Sequence, residues 1–506
     1  MLLSILDLRP STPIHRLLTE NTLTVLTTAL ALYLTYLLLT SYLSSPLASV
    51  PNAHWSAPFS SVWITHLRHS ILENRTLLYL HRQLGPIIRL SPHEISVCAI
   101  EGGVKSVFGG GYEKGEWYSI FDNYCVVCTF SAQDGKSHGG TKRLVSHVYS
   151  KLALWKSEVL KAQSRKLVLG RLLPAINEAG EGGTDVLSLF YASSMDAITA
   201  YQFGIDKSSN FIQEEEERRH FLDDLYQPRK QYAFYGQELP RLTKWLKMLG
   251  IRLVPGWVDA ANQEIEEWCR GMCDAVIASS PSWSTADQMA EGMPENTPVV
   301  AGALMRGIAK EEQKDGSVLA ERIEKWKEGM VYSEMLDHLA AGHETSGITL
   351  SYICYHLSRD IDLQHRLRQE LLTLDPQIRY TGKEPEEGKE LPDPKQIDAL
   401  PLLNAVMMET LRLNAAIPGS TPRMTPKDGC QLVGHYIPGG VRVSSAAWAL
   451  HRNEQVFPDS ENWDWTRWVK GGEEERRERE RWFWAFSSGS RMCIGNNFAV
   501  LRKSES

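Results

Sequence analysis

A ten-residue stretch near the end of the chain carries residue types that can bind an iron cofactor. It reads FSSGSRMCIG and contains Phe486, Gly489, Arg491, Cys493 and Gly495 in the spacing F-x-x-G-x-R-x-C-x-G. A cysteine thiolate ligates iron, glycines let the backbone pass close to a porphyrin, and backbone N–H groups stabilise the sulfur charge. Arg491 can bind a porphyrin carboxylate through charge-assisted hydrogen bonds. The stretch predicts a haem-thiolate loop, against the alternative of a surface turn with a buried cysteine.

A second group of polar residues interrupts an apolar helical pattern in residues 333–357. The sequence AAGHETS places Gly342 beside four polar residues, His343 to Ser346, where a purely structural helix would continue apolar. Glycine weakens a helix, and a Ser or Thr hydroxyl can replace a backbone donor. The segment therefore predicts a local widening that can hold dioxygen and water. The alternative is an ordinary polar stripe where two helices cross.

A third pair of residues favours a buried ion pair. Glu409 and Arg412 are three residues apart in PLLNAVMMETLRL, which is otherwise an apolar helix. The spacing alone is weak evidence, since Glu215 and Arg218 share it within a run of charges. The apolar surroundings are what predict burial and a structural role.

The elements that must position these residues are mostly helical. Between about Lys151 and Ser358, apolar residues recur three or four positions apart, while strand-like pieces occur after Gly85 and around residue 435. We expect an α+β fold that is mainly α with small β-sheets, and one large domain over residues 61–506. A chain of 506 residues with a net charge of −7 and evenly spread charges gives no indication of nucleic-acid binding.

The N-terminal part predicts a membrane anchor. Residues 23–43 contain no charge and are long enough to cross a hydrocarbon core of roughly 30 Å. Residues 1–22 form a short segment before this span, and residues 44–60, with Pro46, Pro51 and Pro58, predict a stiff hinge. The alternative for the span is a cleaved signal peptide. The arginine distribution favours a cytosolic C-terminal body.

Eight cysteines spread over the chain do not form a disulfide framework. Cys125 and Cys128 form a CxxC, but no second pair is spaced to complete a zinc tetrad. We interpret them as core thiols.

In their order and spacing these motifs resemble the cytochrome P-450 superfamily, over nearly the whole chain from the anchor to the haem loop. The resemblance implies the cytochrome P-450 fold behind an N-terminal transmembrane helix, with Cys493 as the metal ligand of haem. AGHETS is similar to the oxygen-activation motif of that superfamily. Thr345 is thereby implied as the alcohol of the oxygen site and Glu344 as the acid that supplies protons. Arg467, in WDWTRW, is implied as the third member of a network with Glu409 and Arg412.

Further haem contacts are implied by the same resemblance. DGKSHGGTKRLVSH is similar to the helix that approaches the haem propionates, with His138 where the family often has Trp and Lys142 where it usually has Arg. Arg143 is a neighbour that could substitute, although Lys142 retains the charge without the bidentate fork. Arg423, in PGSTPRMTP, fits the propionate-binding arginine of the family. Surface solubility is the alternative for these three basic residues.

The implied enzyme is a membrane-anchored monooxygenase that inserts one oxygen atom from O2 into an apolar small molecule. Electrons must come from a separate NADPH-dependent reductase, since no dinucleotide-binding fingerprint follows the haem loop. The expected location is the endoplasmic reticulum membrane, with the body facing the cytosol. Several stretches resemble microsomal members from filamentous fungi, which often act in secondary metabolism.

Two other classes remain open. One is an enzyme of the same fold that rearranges a peroxide or an oxidised intermediate without a reductase. The other is a non-catalytic haem-binding relative, because only 13 residues follow Cys493 and the domain looks truncated at its C-terminus. If that end is genuine, we expect weak haem binding or poor turnover.

Overall fold

Helices form most of the protein in the computed structural model, which describes residues 22–43, 45–178, 182–286, 293–377 and 390–505. The α-helices are α1 Thr22–Leu43, α2 Val62–His69, α3 Glu73–Leu84, α4 Gly135–Val145, α5 Lys151–Lys156, α6 Glu158–Leu167, α7 Leu173–Glu178, α8 Val186–Phe203, α9 Glu215–Arg218, α10 Gln227–Arg229, α11 Ala233–Glu238, α12 Pro240–Met248, α13 Gly256–Ser279, α14 Val299–Glu312, α15 Ala320–Ser358, α16 Ile361–Leu371, α17 Pro394–Asp398, α18 Pro401–Leu413, α19 Ala447–Leu450, α20 Glu473–Trp482 and α21 Asn496–Glu505. The π-helical segments are Ile100–Gly109, Val168–Leu172 and Arg219–Tyr226. The 3-10 turns are Glu116–Phe121, Ile205–Lys207, Lys230–Tyr232, Trp283–Thr285, Pro294–Asn296, Trp465–Trp468 and Gly489–Arg491.

Two small sheets complete the fold, so the prediction of a mainly helical α+β protein is confirmed. The strands are β1 Ile87–Ser91, β2 Glu94–Val97, β3 Arg423–Met424, β4 Cys430–Leu432, β5 His435–Ile437 and β6 Arg442–Ser444. One sheet has the order β1-β2-β6-β3, in which β2 and β6 are parallel and the other neighbours are antiparallel. The other sheet is the antiparallel pair β4 and β5. Because β2 pairs with β6, the sheet joins the N-terminal part of the body to the segment before the cysteine loop.

The largest core lies between α8, α13, α14 and α15. Fourteen of the 18 residues of α8 are buried, because the helix is covered on most sides. It packs along α15, a 39-residue helix with one non-helical residue, Trp326. This packing fixes the central part of α15, which carries the AGHETS motif.

Two glycines of α15 have a packing role that the sequence did not reveal. A Cβ atom on Gly342 would lie 2.8 Å from Ile198 Cγ1, and one on Gly347 would lie 2.4 Å from Tyr191 Cδ1. Both neighbours belong to α8, so the glycines allow the two helices to approach closely. The local widening expected at AGHETS is wrong, because the helix continues through this segment without non-helical dihedral angles. Gly342 serves helix packing instead.

The segment expected to act as a hinge packs against the body. Leu47 and Val50 are each 1% exposed, and Pro51 accepts a hydrogen bond from the Arg89 amide at 2.7 Å. The Arg89 carbonyl in turn accepts from Ala53 at 2.9 Å. Residues 47–53 therefore extend the first sheet.

The predicted anchor is not shown by the structure. Helix α1 covers the uncharged segment. Within the described ranges, however, we find no helix that combines the length and the apolar character needed to cross a membrane. Residues 1–21, most of the predicted N-terminal segment, lie outside the described residues. The charge runs form the exposed helices α9 and α20, as their composition indicates.

Candidate haem site

The cysteine loop, residues 486–495, contains the 3-10 turn Gly489–Arg491 and leads into α21. The Cys493 amide donates a hydrogen bond to the Phe486 carbonyl at 3.0 Å, which closes the loop. Gly489 has φ +73°, and a Cβ atom there would lie 2.1 Å from the Phe108 carbonyl oxygen, so only glycine fits. At Gly495 the position of a Cβ atom has no neighbour within 4 Å. The loop thus holds an exposed Cys493 next to open space.

Five basic residues converge beside this loop, and we call them the cationic cluster: Lys114, His138, Lys142, Arg423 and Arg491. They come from the loop before the turn Glu116–Phe121, from α4, from β3 and from the cysteine loop itself. The other four members of the cluster all disfavour the charged form of His138. The fold therefore assembles cations from four separate parts of the sequence.

Backbone carbonyls hold two members of the cluster. Lys142 donates through Nζ to two carbonyls of the cysteine loop, those of Ser490 and Met492, at 2.9 and 2.8 Å. Arg491 donates to the carbonyls of Ala132 and Gln133, both at 2.6 Å. These contacts fix the cysteine loop against the start of α4.

Aromatic rings hold two other members. Arg423 is 4% exposed, donates to the Tyr118 hydroxyl at 2.8 Å and lies 4.8 Å from the Phe108 ring centroid. Lys114 donates to the Phe130 carbonyl, and its Nζ lies 4.1 Å from the ring centroids of Tyr118 and Phe130. Both cations are therefore positioned in part by cation–π contacts.

The pKa values of the cluster show that its positive charges are destabilised by burial and by one another. Burial and then the charge of Arg423 lower the pKa of Lys114 to about 6. Burial and Arg491 lower the pKa of His138 to about 3, and burial and Arg423 lower that of Arg491 to about 10. Burial also lowers the pKa of Lys142. Because the buried cations repel one another, the cluster favours the binding of an anion.

The cluster fits the carboxylates of haem. Among the residues that the structure describes, no ion pair joins Lys114, Lys142, Arg423 or Arg491 to an acidic side chain. Two propionates beside the cysteine loop would supply the missing negative charge, while the thiolate of Cys493 supplies the iron ligand. The residues present therefore match haem in charge and in donor type.

Sequence reasoning found most of this site and missed Lys114. Its local sequence, GYEKGEWYS, carries no motif, and only the fold brings it to Arg423 and Arg491. Arg143, proposed as a substitute for Lys142, is not in the cluster. Its side chain is exposed, and its charge acts on Glu311 of α14.

The motif on α15 places Thr345 and Glu344 in different surroundings. The Thr345 hydroxyl donates to the Ala341 carbonyl one turn earlier, at 2.8 Å. Glu344 forms an ion pair with Lys230, which lies in the segment after α10. The ion pair connects the centre of α15 to the 3-10 segment Lys230–Tyr232.

The Glu409 network is buried and complete. Arg412 donates to the two oxygens of Glu409 at 2.9 and 2.7 Å, and Arg467 donates to Oε1 at 3.1 Å. Trp468 and the Asp464 amide occupy the remaining acceptor positions at 2.9 and 2.8 Å. Arg412 also donates to three backbone carbonyls. The structure thus brings the three residues together as a saturated structural network.

The CxxC cysteines differ from each other in exposure. Cys125 is exposed and Cys128 is buried, and both are free thiols. Cys128 accepts from the Ser131 amide at 3.4 Å. The interpretation as core thiols is confirmed for Cys128 and is wrong for Cys125.

A thiolate loop facing unpaired cations is the arrangement of a protein that binds haem through a cysteine. The family profile described as Cytochrome P-450 matches residues 168–502. The chain therefore belongs to the cytochrome P-450 family, whose cofactor is haem with a thiolate ligand, and it is an oxidoreductase of the monooxygenase type.

Curated relatives are fungal. The chain is 24% identical over 478 residues to the cytochrome P-450 monooxygenase orf2 of Aspergillus niger, which covers 90% of this chain and 84% of that protein. It is 26% identical over 462 residues to the cytochrome P-450 monooxygenase tazI of Aspergillus terreus, covering 89% and 84%. It is 24% identical over 495 residues to the cytochrome P-450 monooxygenase cypX of Dothistroma septosporum, covering 95% and 86%.

Proposed function

We propose that the protein inserts one oxygen atom from O2 into an apolar small molecule of fungal secondary metabolism, with Cys493 as the ligand of haem. The observation that carries this proposal is the cationic cluster beside the cysteine loop. The haem supplies the oxygen-activating chemistry when bound, and the thiolate promotes O–O cleavage. The proposed substrate class is supported by the fungal monooxygenase relatives. It also agrees with oxygen insertion itself, which does not require a charged substrate.

The cationic cluster holds the propionates in this proposal. Arg423 and Arg491 present planar donors, and Lys114 and Lys142 act as point charges. His138 is buried and neutral, since its pKa is about 3, so it contributes a ring N–H in place of a charge. Phe486, Gly489 and Gly495 shape the loop around the sulfur.

Thr345 and Glu344 deliver protons. The Thr345 hydroxyl donates to Ala341, so its own oxygen is free to accept a hydrogen bond from a water molecule. Glu344 takes a proton from solvent and passes it through water toward Thr345, while the Lys230 ammonium fixes its carboxylate. This pair favours monooxygenation over a rearrangement, which needs no proton delivery.

The remaining partners follow from the family and the N-terminal segment. A separate NADPH-dependent reductase supplies the electrons. The helix α1 exposes large apolar side chains, among them Leu30, Leu32 and Tyr36, which supports attachment to the endoplasmic reticulum membrane with the body in the cytosol. Recovery of the full chain in the soluble fraction without detergent would contradict this location.

The experiment is microsomal expression with a reductase, followed by untargeted metabolite comparison under 18O2. The proposal requires a product that carries one labelled oxygen atom and depends on NADPH. Thr345→Ala should keep haem while diverting electrons to hydrogen peroxide; Thr349→Ala, on the same helix, is the matched control. Product formed without reductase would favour the rearranging enzyme, and no product from any substrate pool would favour a non-catalytic relative.

A further inference from the structure

Four buried polar atoms on and beside α15 make no well-formed hydrogen bond within the part of the chain that the structure describes, although Thr129 lies close enough to Glu334 to affect its charge. They are both carboxylate oxygens of Glu334, Nε2 of His338 and the hydroxyl of Thr129. The three side chains are 0%, 6% and 8% exposed. Buried polar groups in native proteins are nearly always paired, so a group of four in one place indicates a ligand between them.

The unpaired groups of Glu334 and His338 are too far apart to bond each other. Nε2 of His338 lies 3.9 Å from Oε2 of Glu334, which is too long for a hydrogen bond. Asp337 is the third member, and the donor atoms of these three residues all lie within 4.8 Å of one another. The space between them suits a single small ion that contacts all three.

Contacts behind the donors orient them. The Tyr149 hydroxyl lies 3.0 Å from Nδ1 of His338, and the Phe130 amide donates to Oδ2 of Asp337 at 3.3 Å. When Nδ1 carries the proton and donates it to Tyr149, Nε2 directs its lone pair toward Glu334. Metal-binding histidines and carboxylates are held by contacts of this kind.

The charge and donor types indicate which ion fits. Two carboxylates and a neutral imidazole ring balance the charge of a divalent cation. Arg322 acts on the charge of Glu334, and Lys114 of the cationic cluster acts on that of Asp337. An imidazole among the donors favours zinc and similar first-row ions over calcium or magnesium.

We propose that Glu334, Asp337 and His338 bind one divalent transition-metal ion of the zinc type, with a water molecule as fourth ligand. Three protein ligands and a water complete a tetrahedron, and the Thr129 hydroxyl is placed to hold the water. The ion accounts for all four unpaired atoms. It joins α15 to the loop that contains Thr129 and Phe130.

The test uses the full chain with haem bound, so that Cys493 is occupied. The protein is equilibrated with zinc sulfate, freed of excess by gel filtration, and analysed for zinc and iron by mass spectrometry. We expect about one zinc per haem iron. Glu334→Gln and His338→Asn should weaken zinc binding by more than the roughly 10- to 100-fold expected for Tyr149→Phe. His81→Asn is the matched control, because His81 is also buried but bonds Ser96 at 2.8 Å.

X-ray absorption at the zinc edge decides the outcome even if the variants fail to fold. The wild-type protein should show nitrogen and oxygen ligands at about 2.0–2.2 Å and no sulfur. A sulfur shell at about 2.3 Å would place the zinc on cysteines and overturn the proposal. So would wild-type protein that retains less than about a tenth of a zinc per haem, or unchanged affinity in both ligand variants. In the last two cases a buried water is the occupant.

Discussion

Two buried groups of charges in this protein differ in how completely they are paired. In the Glu409 network, Arg412 and Arg467 share one carboxylate, and every donor of Arg412 has an acceptor. In the cationic cluster, the charges of Arg423, Arg491 and Lys114 repel one another, and within the described residues none of the three forms an ion pair with an acidic side chain. The first group is complete without a ligand, and the second is complete only with an anion.

The difference separates structural charges from binding charges. A buried ion pair with saturated hydrogen bonds holds its elements together, and removing one partner leaves an uncompensated charge. A buried cluster of like charges raises the free energy of the ligand-free protein. An anionic ligand neutralises these charges and lowers the free energy of the complex. Perturbing the Glu409 network should therefore affect folding, while perturbing the cluster should affect haem.

The largest effect is expected for Glu409→Gln. This change leaves two buried arginines without their carboxylate and should lower the free energy of unfolding by about 3–5 kcal/mol, or prevent folding. Chemical denaturation measures it.

Glu215→Gln is the matched control, since Glu215 has the same spacing to Arg218 but is 72% exposed. Its effect should stay below about 1 kcal/mol. Equal losses of stability in Glu409→Gln and Glu215→Gln would contradict the distinction between the buried network and an exposed ion pair.

The next effect is on haem retention in Arg423→Met. A charge-assisted contact from Arg423 to a propionate would be worth about 1.5–3 kcal/mol, so its loss should lower haem affinity by roughly 10- to 100-fold. Transfer of haem to an excess of a haem-scavenging apoprotein gives the rate of loss. Arg143→Met should retain haem like the wild type, because Arg143 lies outside the cluster. Retained haem in Arg423→Met combined with a large loss of fold stability would assign Arg423 to structure instead.

A pH dependence follows from Lys114. Its pKa is about 6 in the ligand-free cluster and is restored upward when propionates neutralise the repulsion. The haem-bound protein then holds more protons than the haem-free protein above pH 6. Haem affinity should therefore be greatest below pH 6 and fall with rising pH by up to about tenfold per pH unit. Haem dissociation measured between pH 6 and 8 checks this.

Lys114→Met is the companion variant for that measurement. It should remove most of the pH dependence, because burial and neighbouring cations hold the pKa of His138 at about 3 and that of Arg491 at about 10, outside this range. A slope that is unchanged in Lys114→Met would assign the proton uptake to another group.

The smallest stability effect is expected for Lys230→Met. Its ion pair with Glu344 is partly exposed, with 36% and 24% of the side chains accessible, so the free energy of unfolding should change by less than about 1 kcal/mol. Product formed per NADPH should fall nevertheless, because Glu344 loses the cation that orients it. Lys247→Met, an exposed lysine of α12, is the control for general charge loss. Unchanged coupling in Lys230→Met would show that the pair has no part in proton delivery.

The sequence could predict those features that local spacing determines. The helical class, the short strands after Gly85 and near residue 435, and the position of Glu409 and Arg412 on one apolar helix all depend on short patterns. The cysteine loop is also local, since its motif lies within residues 486–495.

Features that depend on distant packing could not be predicted. Lys114 reaches the cluster only because the loop before the turn Glu116–Phe121 folds over β3. Gly342 suggested a widened helix from its own sequence, whereas Ile198 of α8 is the reason that no side chain fits there. The Glu344 contact with Lys230 joins residues far apart in the chain. In each case the physical cause lies in a neighbouring element.

The central claim is that Cys493 ligates haem through its thiolate while the cationic cluster holds the propionates. The ferrous–CO spectrum of Cys493→Ser tests it most directly, because a serine alkoxide is far less available than a thiolate near neutral pH. Cys354→Ser, another exposed cysteine, is the control. The account predicts that the red-shifted Soret band of thiolate ligation is lost in Cys493→Ser and retained in Cys354→Ser. Retention of that band in Cys493→Ser would contradict it.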